Sequence, residues 1–252
     1  MNEIRLRVKR QSSSNDRPYW EDFSIPYSSN LNIISALMAV RKNPINIRGE
    51  KVPPVVWDCN CLEEVCGACS MIINGQARQA CTALVDKLVQ PIVLEPLSKF
   101  PVIRDLVVDR NRMFNALKRI KAWIPIDGTY DLGPGPRQAA KDQQFTYALS
   151  RCMTCGCCLE ACPQVSLDNN FVGPSALGQA DLFNMHPTGS MNKHERLGEL
   201  IGDGGLADCG NAQNCVRVCP KEVPLTDAIA DLNRQAVTYT FERFFGVGEK
   251  RA

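Results

Sequence analysis

The sequence predicts an α+β chain, in which a small mixed sheet crossed on one face by a helix precedes an all-helical part. Three observations predict it. Ile4, Leu6 and Val8 alternate with Arg5, Arg7 and Lys9, the two-residue period of a half-buried strand. Asn74-Gly75 stands between two short strand-like runs, a strong signal for a tight hairpin. Beyond a Pro- and Gly-rich stretch, apolar residues recur at helical spacing, as in Leu225, Ile229, Leu232 and Ala236 after Pro224.

Taken in order, the first strand ends in a polar turn, Gln11 to Arg17, and a second strand is expected around Phe23 and Ile25. Leu31, Ile34 and Leu37 or Met38 then repeat at helical spacing until Pro44 stops them. Ser70 to Ile73 and Gln76 to Ala80 form the hairpin arms, and Ile92, Val93 and Leu94 a last short strand. Asp109 to Ala122 reads as a helix with Met113, Leu117 and Ile120 on one face. Lys118, Arg119 and Lys121 at its end read as a solvated basic cluster favoured by the helix dipole. Residues 124–137 carry the expected connection, DGTYDLGPGP. Beyond it the character becomes helical: Tyr147 to Arg151 approaches a cysteine cluster, Ser175 to Met185 and Lys193 to Ile201 are short helix candidates, and Gly202, Gly204 and Gly205 are expected to end the last of these. The expected domains are 1–105 and 106–252.

A chain of 252 residues with 44% hydrophobic content can bury ordinary cores. A formal charge of +2 points to no nucleic-acid partner. The N-terminus lacks the apolar core of a secretory signal, and no apolar run approaches the roughly 18 residues of a membrane span. The expectation is a chain soluble by itself, whose membrane role comes through partners. Rossmann and P-loop signatures are missing, and His and carboxylates form no evident acid–base constellation.

Thirteen cysteines are the unusual feature. An odd number without a sign of export argues against a disulfide framework and for metal. Cys61, Cys66 and Cys69, with Cys81 after the hairpin, follow the C-x4-C-x2-C…C spacing of plant-type 2Fe–2S sites. Zinc motifs favour paired knuckles instead, and a Rieske centre needs two His ligands, whereas His186 and His194 stand beside no cysteine motif. Gly67 is expected to let backbone approach the inorganic sulfides. Cys152, Cys155, Cys158 and Cys162-Pro163 reproduce the bacterial C-x2-C-x2-C-x3-C-P run, whose fourth Cys serves the other cluster. Cys209, Cys215 and Cys219-Pro220 match that run at its first, third and fourth positions, with Ala212 at the second. Crossed ligation then gives a 4Fe–4S cluster on Cys152, Cys155, Cys158 and Cys219. It leaves Cys162, Cys209 and Cys215 for a 3Fe–4S cluster, since Ala212 cannot bind a fourth iron. Cys59 and Cys157 fall out of register and read as small, partly buried apolar side chains in preference to ligands or redox sensors. Three such centres imply an electron wire between a donor and an acceptor on other chains.

This order of motifs resembles the iron–sulfur subunit of succinate dehydrogenase and fumarate reductase. The likeness includes NCLEEVCGACSMIINGQ, DLVVDRNRMF and both C-terminal cysteine groups. The resemblance implies an N-terminal β-grasp plant-type ferredoxin-like domain and an all-α bacterial-ferredoxin-like domain. It also implies a partner flavoprotein that oxidises succinate with FAD. Electrons would pass through 2Fe–2S, 4Fe–4S and 3Fe–4S to quinone at a membrane anchor. All four first-cluster positions are Cys, whereas some relatives carry Asp at the position of Cys69. Glu63 and Glu64 either lower that cluster's potential or are merely solvated.

One branch of the family has a Trp pair shortly after the Cys-Pro and a His after the Cys that matches Cys209. Here the residues are Pro163-Gln-Val-Ser-Leu and Gly210. With NCLEEVCGACSM and FNMHPTG, these departures resemble the menaquinone-linked enzymes, implying a dihaem cytochrome b anchor carrying haem b and a place on the cytoplasmic face of the membrane. Pro163 and Ser166 are candidates near the quinone or haem. The aromatic tail, Tyr239, Phe241, Phe244 and Phe245, packs either on a partner or within the chain. The same architecture fits a quinol:fumarate reductase. A free soluble ferredoxin carrier is the reading of another class, disfavoured by the joined domains and near-neutral charge.

Overall fold

The computed structural model describes residues 3–124 and 137–246. The stretch DGTYDLGPGP, where the connection is expected, lies outside the described residues. The chain divides into two compact units: Met1–Arg112 with Met153–Ala161, and Met113–Cys152 with Cys162–Ala252.

In the first unit, β1 (Glu3–Arg10) and β2 (Tyr19–Pro26) pair antiparallel. Ile4, Leu6 and Val8 are buried while Arg5 and Arg7 face solvent, as the alternation predicts. Helix α1 (Ile33–Lys42) is capped by the Asn32 side chain, which accepts from the Ser35 amide, and Arg41 and Lys42 fill its last turn, where cations suit the helix dipole. It buries Leu37 and leaves Met38 exposed. The hairpin β3 (Ser70–Ile73) and β4 (Gln76–Gln79) turns at Asn74-Gly75, both with positive φ. With β5 (Ile92–Glu95) the strand order is β2-β1-β5-β3-β4, in which β1 and β5 run parallel. A small hairpin of β6 (Val102–Arg104) and β7 (Val107–Val108) is additional to the expected strands. Its arms are too short to show a period.

Arg10 is the charged centre of this unit. It is 2% exposed and pairs with Glu21 at 2.6 Å and Asp105 at 2.9 Å, and also donates to the Pro53 carbonyl at 3.0 Å. The Asp105 carboxylate in turn accepts the Gln11 and Val56 amides at 3.1 and 2.9 Å. The start of β1's exit loop, the long loop before the cysteines and the β6–β7 turn are thus held by one buried cluster.

The second unit is helical. Helix α2 (Asn111–Arg119) leads into it, followed by α3 (Ala140–Ser150), α5 (Pro174–Met185), α6 (Lys193–Leu200), the short α7 (Asn214–Arg217) and α8 (Leu225–Phe244); α4 (Cys157–Ala161) belongs to the first unit. Leu225, Ala228, Ile229, Leu232 and Ala236 of α8 are buried, and α5 is buried along most of its length. Of the basic end of α2, Lys118 is exposed as expected, whereas Arg119 and Lys121 are engaged. Arg119 donates to the carbonyls of Asn170, Glu199 and Asp203 and pairs with Glu199, and Lys121 pairs with Glu195. Carbonyls left over where α6 ends need donors, and Arg119 supplies them. Gly204 in that ending has φ +73°, and a Cβ there would lie 2.3 Å from the Asn170 carbonyl oxygen. In the tail, Tyr239 packs on His194 (5.3 Å between rings), whereas Phe245 contacts Phe241 and Phe244 and all three remain exposed.

Asp181 on α5 is fully buried; its Oδ1 accepts from Gln235 at 2.8 Å, while Oδ2 meets no donor among the described residues. Burial, and after it the neighbouring Asp231 charge, push its carboxyl up to about 7, against the weaker pull of Gln235 and Lys193. A raised folded-state value means the folded protein holds the proton more tightly than the unfolded chain. This contribution to stability is therefore full below about pH 4 and lost as pH rises to about 7. Asp181→Asn, a neutral isostere, should abolish that slope. The variant should become more stable than wild type as pH rises, by roughly 3–4 kcal/mol above pH 7. Thermal unfolding of both proteins between pH 4 and 8 checks this, and parallel curves would refute it.

Candidate iron–sulfur centres

The first cysteine loop is wound by residues with positive φ, Leu62, Glu64 and Gly67. That winding turns backbone amides inward onto sulfur. The Cys61 Sγ accepts N–H groups from Glu63, Val65 and Cys66 at 3.3–3.4 Å, and the Cys66 Sγ accepts from Ala68 at 3.4 Å. The Glu63 and Val65 amides hold the Cys61 thiol down at about 7. Cys69 and Cys81, at either end of the β3–β4 hairpin, are buried. Burial, with Cys69 and Cys61 as neighbours, pushes Cys81 up to about 11. Four thiols from one loop and one hairpin thus face one another, with donors already aimed at the sulfurs. The Glu63 side chain is exposed, and Glu64 accepts from Thr82 Oγ1 at 2.7 Å.

Gly67 serves a neighbour that the sequence does not reveal. Its φ is +72°, and a Cβ there would lie 2.8 Å from Cα and Cβ of Cys155. Arg110 clamps the same place, donating to the Gly67 and Ala68 carbonyls at 2.7 Å and to the Cys155 carbonyl at 3.5 Å. Glu160 accepts from Ser98 Oγ and the Lys99 amide. The second cysteine run, from Met153 to Ala161, is therefore fastened to the first loop.

Within that run Thr154 and Gly156 take positive φ and α4 begins at Cys157. Cys155 and Cys158 are buried in the first unit, and Cys152 and Cys219 stand in the second. The Cys157 thiol, joined by its amide and by Arg110, brings Cys155 down to about 7. The Cys219 Sγ accepts the Val223 amide at 3.4 Å. Cys157 is fully buried and bonded, beyond the partial burial expected of it, and its thiol is held protonated by the adjoining Cys155 and by burial. Cys59 is exposed, which corrects the expectation of partial burial; its loop carries no strand or helix to cover it.

In the second unit Cys162, Cys209 and Cys215 come together, and burial, with Cys162 and Cys209 as neighbours, raises the Cys215 thiol. Ala212 lies exposed between Asn211 and Gln213, both left-handed. Pro163 and Ser166 are exposed on a loop pinned by Asn169, which accepts from the Ser166 amide and donates to the Gln164 carbonyl. The Gln164 amide fills the space beside Gly210, where a Cβ would lie 2.6 Å away. The two positions that depart from the Trp- and His-bearing branch are thus neighbours.

Among the described residues no three His, Cys, Asp or Glu side chains close around a single metal ion, and no helix is long and apolar enough to cross a membrane. The donor set is thiol throughout, with amide N–H groups directed at sulfur, which fits thiolate-bound iron–sulfur clusters.

Comparison with known proteins agrees with this chemistry. A 2Fe–2S iron–sulfur cluster binding domain family matches residues 5–115, and a 4Fe–4S dicluster domain family matches residues 148–223. The chain is 62% identical over 243 residues to the succinate dehydrogenase iron–sulfur subunit of Bacillus subtilis (strain 168), covering 96% of each. It is 31% identical to the fumarate reductase iron–sulfur subunit of Escherichia coli O157:H7, covering 91% of each, and 30% identical to that of Wolinella succinogenes, covering 93% of this chain and 97% of the relative. Among solved structures, the Mycobacterium smegmatis Sdh1 complex in the apo form contains a chain of the same fold, with TM-score 0.77 at 23% identity over 95% of this chain and 98% of that one.

Proposed function

Since the chain belongs to the iron–sulfur subunits of succinate dehydrogenase and fumarate reductase, we infer that it is the electron-transferring subunit of a succinate:menaquinone oxidoreductase. The observation that carries the reading is its likeness, along nearly its whole length, to the Bacillus subtilis subunit. The fumarate reductase subunits share about half that identity, which favours succinate oxidation as the direction.

Cys61, Cys66, Cys69 and Cys81 would hold the 2Fe–2S cluster. Cys152, Cys155, Cys158 and Cys219 would hold 4Fe–4S, and Cys162, Cys209 and Cys215 would hold 3Fe–4S. When bound, these clusters supply one-electron stations between the FAD of a flavoprotein partner and quinone at a membrane anchor. The chain's own contribution is positional. Amides of Glu63, Val65 and Cys66 stabilise charge on the Cys61 sulfur, as the Ala68 amide does at Cys66. Arg110 and Gly67 fix the Cys155 backbone against the first loop.

The partners are a succinate-oxidising flavoprotein and a membrane anchor, on which this subunit is peripheral. Gly210 and the Pro163-Gln-Val-Ser-Leu loop, lacking the His and Trp pair, support a dihaem cytochrome b anchor and menaquinone, at the cytoplasmic face of the membrane. Pro163 and Ser166 belong to the surface offered to that anchor. Purification from native membranes should yield the chain with a flavoprotein and a haem protein. The complex should reduce a menaquinone analogue with succinate and show three distinct cluster signals by electron paramagnetic resonance. Recovery as a soluble monomer, or a complex without the three-iron signal, would contradict the proposal.

A further inference from the structure

Gln79 is a buried amide at a strand position that ordinarily takes an apolar side chain. It sits opposite Ser70 at the end of the β3–β4 hairpin and is 1% exposed. Leaving such an amide unpaired would be costly, so its partners matter. Nε2 donates to Ser70 Oγ at 2.7 Å and to the Cys157 sulfur at 3.5 Å, while Oε1 accepts from the Cys69 thiol at 3.5 Å. One side chain therefore touches a sulfur of the first cysteine group and a sulfur within the second run.

We propose that Gln79 is a positioning residue that, in the loaded protein, donates its amide N–H to the Cys69 sulfur and accepts the Cys157 S–H, and so raises the reduction potential of the first centre. The proposal rests on the reading of Cys69 as a 2Fe–2S ligand. A ligating Cys69 has no proton to give Oε1, and a carbonyl oxygen facing a thiolate is repelled. Turning the terminal amide over exchanges Oε1 and Nε2 with little change in shape. Cys157, which ligates nothing, then has Oε1 as its acceptor. Ser70, now donating from 2.7 Å to the same Oε1, gives up the Gly67 carbonyl, which keeps Arg110 as its donor at 2.7 Å. No group loses all its partners, so the turned arrangement costs little. A donor on a ligand sulfur favours the reduced, more negative cluster over the oxidised one.

The test is a redox titration of the 2Fe–2S signal in complexes purified from native membranes. Gln79→Leu, which keeps the bulk and loses the donor, should lower the midpoint by about tenfold in the reduction equilibrium, ~59 mV for one electron. Gln79→Glu should lower it further. Cys157→Ala should give a smaller shift of the same sign, and the double variant with Gln79→Leu should match Gln79→Leu alone. Pulsed resonance after nitrogen-15 glutamine labelling should show a side-chain nitrogen coupled to the reduced cluster in wild type and not in Gln79→Leu. Unchanged midpoints in both Gln79 variants, with a normal 2Fe–2S signal, would overturn the proposal. A wild-type complex without any 2Fe–2S signal would instead overturn the ligand assignment beneath it.

Discussion

Ala212→Cys is expected to erase the three-iron signal of the oxidised complex and to install a four-iron centre of lower potential. The position is prepared for it. Ala212 is exposed, and the positive φ angles fall on its neighbours Asn211 and Gln213 and not on Ala212 itself. A Cys can therefore take the existing backbone, at a stability cost within about 0.5 kcal/mol. It would restore the thiolate that the C-x2-C-x2-C-x3-C-P pattern calls for. A fall in potential of ~59 mV at a one-electron station lowers the forward equilibrium tenfold. Succinate–quinone turnover should then fall on the order of tenfold or more. Succinate oxidation by an artificial acceptor that draws directly on the flavin should persist. A three-iron signal of undiminished intensity would remove Ala212 from its assigned part.

Arg10→Ala should be the most destabilising substitution in the first unit. It strips the countercharge from Glu21 and Asp105, both buried, at a cost of about 3–5 kcal/mol for a broken buried pair. For a chain of this length that is roughly 6–20 °C in Tm. Removing Glu21 as well should recover part of the loss, because one orphaned charge goes with it. Asp105 cannot be sacrificed in the same way, since it also holds the Gln11 and Val56 amides. Calorimetry of both variants beside wild type checks the order, and an Arg10→Ala transition within 2 °C of wild type would be inconsistent with the buried cluster's role.

The period of Ile4, Leu6 and Val8, the Asn74-Gly75 turn and the buried stripe of α8 are local patterns, and each folds as its spacing indicates. The cysteine groups are legible for the same reason, since each is a short run whose spacing lies in the sequence itself. Long-range pairing left no such trace. Arg10 falls in the inward register of Ile4, Leu6 and Val8, but nothing nearby announces that Asp105 will be its partner. Arg119 and Lys121 look like a solvated helix end until the carbonyls and carboxylates they meet are known. Arg196 on α6 is fully buried on the Asn184 side chain and the Gly189 carbonyl without an acidic partner in those bonds. Gln79 is likewise silent in sequence, since its meaning depends on a cysteine 78 positions away.

The same distance shapes how the protein is made. Met153–Ala161 belongs to the first unit, so a ribosome that has emitted residues 1–112 has released the sheet and its core without the segment that packs on the cysteine loop. Until the second cysteine run emerges, Gly67, Gln79 and Arg110 lack the partners that Cys155 and Cys157 provide. At about 5–20 residues per second the wait is a few seconds. During it, a loop of reactive thiols stands open to oxygen and stray metals, a window in which a chaperone or cluster-delivery factor would have its opportunity.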